Sequence, residues 1–245
     1  MKLFNLDSPL MQALNKMADL MWLNILTMIC CIPIITIGPA MTAMHYMALK
    51  MARDEECYIT RDYFKSFKLN FRQGTLIWLL MLFILAVLAG DFYIMNYSGL
   101  EFGTPLRIIL IVISFLVLFV MTFVFPVLAK FDNTVLRTIK NAFFIAVLQF
   151  PKTILMMILA VAPAGLFLFF PQITPIIFLF GLAAPAWVSA KLYSGFFKKL
   201  EAQIAENNAP EEGTEGAETE EAGDERIFKD ELDESLLENT GSGQS

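Results

Sequence analysis

Residues 33–50 read PIITIGPAMTAMHYMALK and interrupt the first long apolar run of the chain. Pro33 and Pro39 have no amide proton, and each ring clashes with the preceding turn, so nearby backbone carbonyls lose their helical partners. In a bilayer these carbonyls need another donor, which the hydroxyls of Thr36 and Thr42 can supply. The stretch therefore predicts a broken membrane helix.

The break has two interpretations. Broken helices line the binding sites of several transporter folds, whereas proline is also common in membrane helices as an ordinary packing kink. His45 is the only histidine of the chain, and we expect it to form an interfacial or interhelical hydrogen bond rather than part of a metal site. The candidate internal site consists of Pro33, Thr36, Gly38, Pro39, Thr42 and His45.

The composition divides the chain into two parts. Of the 245 residues, 57% are hydrophobic and 17% are charged, which is far from the usage of soluble domains. Residues 1–200 hold 16 Lys and Arg against 9 Asp and Glu, whereas residues 201–245 hold 2 against 15. We therefore predict an integral membrane domain over residues 1–200 and an acidic, largely disordered tail over residues 201–245. The three cysteines follow no disulfide or metal-site spacing, and no cofactor is expected.

Five apolar segments are long enough to cross a bilayer, which takes about 20 residues. A short amphipathic helix precedes them within residues 1–19. The last two are short and joined by a minimal turn, so a hairpin that barely crosses is the alternative. The predicted fold class is an all-α polytopic membrane helix bundle with amphipathic cytoplasmic surface helices. The predicted spans cover about residues 20–37, 75–95, 108–129, 153–170 and 173–190.

Two amphipathic segments lie between these spans. In the first, the basic row Arg61, Lys65, Lys68 and Arg72 is separate from a row of phenylalanines. A basic face beside an aromatic face suits a helix on an anionic membrane surface, and a core-packed helix is the alternative. Residues 64–71 align in character with residues 136–143 of the second segment. This similarity suggests an internal duplication of the unit span, surface helix and span, with chance similarity as the alternative.

The positive charges alternate between loops. Six Lys and Arg lie from position 50 to 72, one between the second and third spans, four in the next loop and three after the last span. The positive-inside rule places the loops after spans one and three, and the C-terminus, in the cytoplasm. Five crossings would leave the N-terminus outside. A re-entrant hairpin across residues 33–50 would leave it inside.

Residues for catalysis are scarce in this sequence. Convergent nucleophiles, acids or metal ligands are needed for an active site, and the composition argues against one, so we predict no catalytic residue and no metal site. Nothing in the chain suggests nucleic-acid binding. In the acidic tail, Phe228, Leu232 and Leu236 recur at i, i+4 and i+8 and could dock a cytoplasmic partner or the chain's own basic loops. An unstructured tail is the alternative.

The order and spacing of several motifs resemble those of the YesL-like family of bacterial membrane proteins. The resemblance extends over about residues 1–200 and rests on residues 23–26, 31–40, 46, 50–51, 53–55, 63–64, 66–68, 70–71, 125–134, 140–142 and 150–153. The family is defined as a domain of unknown function, so it implies a multi-pass fold in the bacterial cell membrane and no catalytic residues. Its members often occur beside carbohydrate ABC transporter components, which implies a link to carbohydrate uptake.

Together these features predict a non-enzymatic accessory or regulatory membrane protein linked to bacterial carbohydrate uptake. Its expected partners are the lipid bilayer and a carbohydrate ABC transporter permease or another membrane protein. An independent small-solute transporter is the alternative. A membrane-embedded enzyme is disfavoured by the shortage of acids, bases and metal ligands.

Overall fold

The computed structural model describes residues 9–97 and 103–207, which form nine α-helices and no strand. The all-α helical bundle predicted from the sequence is confirmed. Short 3-10 turns, Ile34–Thr36 and Pro171–Ile173, precede the second and eighth helices. The helices are α1 (Pro9–Cys31), α2 (Ile37–Ala52), α3 (Ile59–Leu69), α4 (Phe71–Tyr97), α5 (Thr104–Lys130), α6 (Val135–Leu148), α7 (Phe150–Phe169), α8 (Thr174–Phe180) and α9 (Ala183–Asn207).

Among the described residues, α4, α5 and α7 are long and apolar enough to cross a membrane. They contain the predicted spans 75–95 and 108–129 and nearly all of 153–170. The segments 171–180 and 183–206 meet at an angle of 57° and make a fourth crossing if they count as one bent span. The apolar side chains on the outer faces of these helices are exposed within the protein, as expected for contact with lipid.

The first predicted span differs from the structure. Pro33 restricts the residue before it to extended backbone and lacks an amide proton, so α1 ends at Cys31 rather than continuing to residue 37. The same helix spans Pro9–Cys31 and therefore includes residues 9–19 of the segment expected to form a separate surface helix, whose first eight positions lie outside the described residues. α1 is not among the helices that are long and apolar enough to cross a membrane.

The helices α1 and α2 form an antiparallel hairpin. Lys16 Nζ, near the start of α1, lies 2.6 Å from Asp54 Oδ1, just beyond the end of α2. Trp22 Nε1 donates a hydrogen bond of 2.9 Å to Thr60 Oγ1, at the start of α3. Most of α2 is buried, and it packs against α1, α3, α4, α5 and α9. This helix is therefore the centre of the bundle.

The helix α9 continues through Asn207, so its last seven residues, 201–207, fall within the predicted acidic tail. Tyr193, Phe197, Leu200 and Ile204 form a buried stripe along it. Burial of this stripe holds the helix against the bundle, so the helical bundle continues past residue 200, the expected end of the membrane domain. The predicted docking residues Phe228, Leu232 and Leu236 lie outside the described residues.

The pairs α3–α4 and α6–α7 have the same local architecture. A single residue with a buried polar side chain separates the helices of each pair, Asn70 in the first and Gln149 in the second. The backbone hydrogen bonds continue across it, from Gly74 N to Asn70 O (2.7 Å) and from Thr153 N to Gln149 O (2.9 Å). This correspondence concerns the surface helix and the second span of the predicted duplicated unit of span, surface helix and span, and the duplication stays a prediction.

Candidate functional site

The tip of the α1–α2 hairpin satisfies its own backbone. Thr36 Oγ1 lies 2.6 Å from Cys30 O and 2.8 Å from Pro33 O, and can donate to either carbonyl. From the neighbouring helix α4, Trp78 Nε1 donates a hydrogen bond of 2.8 Å to Ile34 O. Thr36 and Trp78 therefore supply the donors that the helix break removes.

Pro39 does not break a helix, which corrects the expectation that both prolines interrupt one. It occupies the first turn of α2, where amide protons have no partner within the helix and proline is tolerated. Thr42 Oγ1 donates to Gly38 O within the same helix, at 2.9 Å. The interruption therefore lies at Pro33 and the turn that follows it.

Gly38 marks a close crossing of two helices. A Cβ atom placed on Gly38 would lie 2.1 Å from the carbonyl oxygen of Gly74 in α4. A Cβ on Gly74 would lie 2.9 Å from Pro39 N. Small residues permit such approach of membrane helices, so packing accounts for Gly38.

His45 lies two turns further along α2 and is half-buried. Its Nδ1 atom has no hydrogen-bond partner among the described residues. The three cavities described below are lined by other residues. Of the six predicted residues of the broken helix, Gly38, Pro39 and Thr42 are buried and Pro33 is exposed, and none of the six lines these cavities.

Asn24 stabilises a second helix break, between α8 and α9. Its side chain is fully buried, and its Oδ1 atom accepts the amide protons of Leu182 (2.8 Å) and Ala183 (2.9 Å). Its Nδ2 atom donates to Phe178 O at 2.7 Å. These are the groups that a helix end and a helix start leave unpaired. A lone asparagine in an apolar run was the sequence signal for this contact, and our sequence interpretation did not use it.

An apolar groove of about 360 Å³ adjoins this second break. Its walls come from α1, α7 and α8 and include Met28, Pro163, Phe167 and Ile177. Because almost no polar atoms face the groove, it suits an acyl chain better than a polar solute.

A buried ion cluster joins α2, α5 and α9 at the end of the bundle that we call the charged end. Arg53 makes a bidentate pair with Glu201, at 2.7 and 3.1 Å, and its side chain is 4% exposed. Lys130 Nζ lies 3.7 Å from the same carboxylate. Removing one partner of such a cluster leaves a buried charge uncompensated. Our sequence interpretation missed this cluster because it placed Glu201 in the tail.

A polar cleft of about 320 Å³ opens between α1 and the loop after α2. Burial raises the pKa of Asp19, whereas the hydrogen bond from Lys16 lowers the pKa of Asp54. Among the described residues, no group of three or more His, Cys, Asp or Glu side chains is arranged to hold a metal ion. The lining residues are Gln12, Asn15, Lys16, Asp19, Met51, Asp54, Glu55 and Cys57.

A third cavity, of about 240 Å³, lies between α4 and α5 at the other end of the bundle. Asp91 is its acidic lining residue, beside Met95 and Leu106. Nearby, Arg107 donates a hydrogen bond of 3.2 Å to Asn96 Oδ1. One isolated carboxylate in this shallow cavity provides no general acid and base pair.

The predicted basic row is divided between two helices. Arg61, Lys65 and Lys68 lie on α3, but Arg72 lies in the first turn of α4 because the chain is interrupted at Asn70. Arg61, Lys68 and Arg72 are exposed. The buried face of α3 is instead formed by Ile59, Asp62, Tyr63 and Ser66.

One family model matches the chain, over residues 20–92, and it is described as "Protein of unknown function, DUF624". The matched segment contains most of α1, the hairpin tip, α2, α3 and most of α4. It is less than a third of the chain. No curated protein and no solved structure matches. The match supports a membrane protein from a family of unknown function.

Proposed function

We propose that this chain is a non-enzymatic accessory or regulatory protein linked to carbohydrate uptake in the bacterial cell membrane. Three apolar helices and the family match support a membrane protein. The carbohydrate link rests on the resemblance to YesL-like proteins. The positive-inside rule supports a cytoplasmic location for the charged end and for the C-terminal part of α9, which carries Lys191, Lys198 and Lys199.

The observation that favours an accessory role is that the backbone carbonyls at the hairpin tip are hydrogen-bonded within the protein. In transporters with broken helices, unwound carbonyls and helix ends face the solute. Here the carbonyls of Cys30 and Ile34 are bonded to Thr36 and Trp78, and Gly38 packs against α4. A packed hairpin suits a rigid scaffold that acts through its outer surface.

Purification from native membranes tests this proposal. The tagged full-length chain is extracted with its surrounding bilayer, and co-purifying proteins are identified against an equally tagged, unrelated multi-pass protein. We expect selective recovery of a permease subunit of a carbohydrate ABC transporter, and recovery of this chain when that permease is tagged. Absence of such a permease from both experiments would contradict the accessory role.

The polar cleft favours a second candidate, an independent small-solute transporter. Its volume and its mixture of amides, carboxylates and Lys16 suit a small polar molecule. Vesicles that contain only the purified chain test this function. Solute flux that is lost in Asp19→Asn but kept in Glu56→Gln, a variant outside the cleft, would support the transporter and count against the accessory role.

A further inference from the structure

We propose that the outward faces of α3 and α6 bind the headgroups of anionic phospholipids. We call these faces, with the first turn of α4, the basic surface. It is defined by Arg61, Lys65, Lys68, Arg72, Arg137 and Lys140.

The orientation of α3 separates its charges. Asp62 is its only acidic residue, and this side chain faces the core, where its Oδ2 atom lies 3.5 Å from Lys50 Nζ and accepts the Tyr58 amide proton at 3.1 Å. Arg61 and Lys68 face outward, beside Phe64, which is 39% exposed. The outer face of α3 is thus cationic and apolar, without an acidic side chain.

The helix α6 repeats this arrangement. Its buried face contains Thr138, Asn141, Ala142, Ile145 and Ala146, and its sequence has no acidic residue. The outer face presents Arg137 and Lys140, together with Leu136, which is 76% exposed, and Val147. Apart from Ile145, the side chains that face the protein are polar or small, while the exposed side chains include both basic ones and the large apolar ones of Leu136 and Val147.

The position of the two helices fits the membrane interface. Each leads through one residue into a helix that can cross the membrane, α4 after Asn70 and α7 after Gln149. A hydrogen bond of 3.2 Å from Gln73 Nε2 to Asn133 O links the start of α4 to the segment before α6. Both outer faces therefore lie where the apolar helices begin.

The combination of basic and exposed apolar side chains on the basic surface indicates the kind of partner that it binds. Basic side chains beside exposed phenylalanine and leucine are typical of helices that insert their apolar side chains among lipids and hold anionic headgroups. Lysine and arginine stems can also lie along apolar surface while their charges reach the headgroups. A partner that offers acidic groups alone would pair with the charges but leave Phe64 and Leu136 exposed to water.

Lipid retention by the full-length protein tests the proposal. The protein is purified in mild detergent, incubated with equal amounts of phosphatidylglycerol and phosphatidylcholine, and the bound lipid is measured by native mass spectrometry. The variants are Arg61→Gln/Lys68→Gln, the charge-preserving Arg61→Lys/Lys68→Arg, and the control Lys198→Gln/Lys199→Gln, which removes two exposed charges from α9. Circular dichroism and gel filtration verify folding of each variant.

We expect the wild-type protein to retain severalfold more phosphatidylglycerol than phosphatidylcholine. This preference should weaken as salt is raised, because exposed charges interact over a Debye length of about 10 Å at 0.1 M. Arg61→Gln/Lys68→Gln should lose most of it, whereas the charge-preserving and α9 variants should keep it. Equal retention by Arg61→Gln/Lys68→Gln and wild type would overturn the proposal. Loss of a co-purifying protein with unchanged lipid retention would overturn it in favour of a protein partner.

Discussion

Gly38 allows the central helix α2 to meet α4 backbone to backbone. The substitution Gly38→Ala places a Cβ atom 2.1 Å from Gly74 O, so the helices must separate. We expect a loss of about 1–3 kcal/mol in the free energy of unfolding, as for other overpacked sites. Thermal unfolding in detergent measures it. The control is Gly90→Ala in α4, where the new Cβ meets no atom within 4 Å; a lower stability for this control than for Gly38→Ala would contradict the packing role.

Asn24 connects α1 to the break between α8 and α9. The substitution Asn24→Leu keeps the branched shape of the side chain but leaves the amide protons of Leu182 and Ala183 without their acceptor. We expect a loss of about 1–3 kcal/mol in the free energy of unfolding, the cost of burying unpaired polar groups. The control, Thr27→Val, removes another buried polar side chain of α1, which bonds to Leu23 O and Tyr63 but not to the break between α8 and α9. Unfolding curves of the two variants that coincide would refute the role of Asn24.

The polar contacts at the hairpin tip could be predicted from the sequence, whereas the hydrogen bonds and ion pairs between residues far apart in the chain could not. Thr36 bonds to carbonyls three and six positions away, a distance that local pattern can address. Arg53 and Glu201 are 148 positions apart, and Asn24 and Leu182 are 158 apart. Contacts between residues so far apart depend on how the helices pack against one another. Helix packing cannot be inferred from local patterns in a single sequence.

At the scale of elements, the long apolar runs predicted the positions of α4, α5 and α7 to within a few residues. An apolar run of about 20 residues in a bilayer is best accommodated as a membrane-spanning helix. The ends of α1 and α9 were less predictable. Leu10, Leu14 and Met17 suggested a separate surface helix, but nothing between them and the apolar run stops the helix. At residue 201 the rise in acidic charge obscured the helical spacing of Phe197, Leu200 and Ile204.

The end of α9 provides a prediction about truncation. A chain ending at Asn207 keeps Glu201 and the buried stripe, so it should fold and purify like the full-length protein. A chain ending at Lys199 lacks Leu200, Glu201 and Ile204, so Arg53 loses its bidentate partner and keeps only the exposed Glu55 carboxylate at 3.9 Å. We expect its yield and thermal stability to fall clearly, since breaking a buried ion pair costs about 3–5 kcal/mol. Equal stability of the two truncated proteins would show that α9 beyond Lys199 is dispensable.

At the scale of the whole molecule, the hairpin determines on which side of the membrane the chain begins. The sequence left two arrangements open, because the charge alternation did not decide whether residues 33–50 complete a crossing or turn back. The contacts of Lys16 with Asp54 and of Trp22 with Thr60 place the start of α1 beside the loop after α2. The structure therefore favours the arrangement in which both ends of the hairpin lie on one side.

Cysteine labelling in intact cells tests this antiparallel hairpin most directly. In a chain whose three cysteines are replaced by serine, single cysteines are introduced at the exposed positions Gln12, Arg61 and Gly103, and each is treated with a membrane-impermeant reagent before and after lysis. We predict that Gln12→Cys and Arg61→Cys react only after lysis, whereas Gly103→Cys reacts in intact cells. Labelling of Gln12→Cys from the same side as Gly103→Cys, with Arg61→Cys labelled from the other side, would contradict the hairpin. It would show instead that the first helix crosses the membrane once.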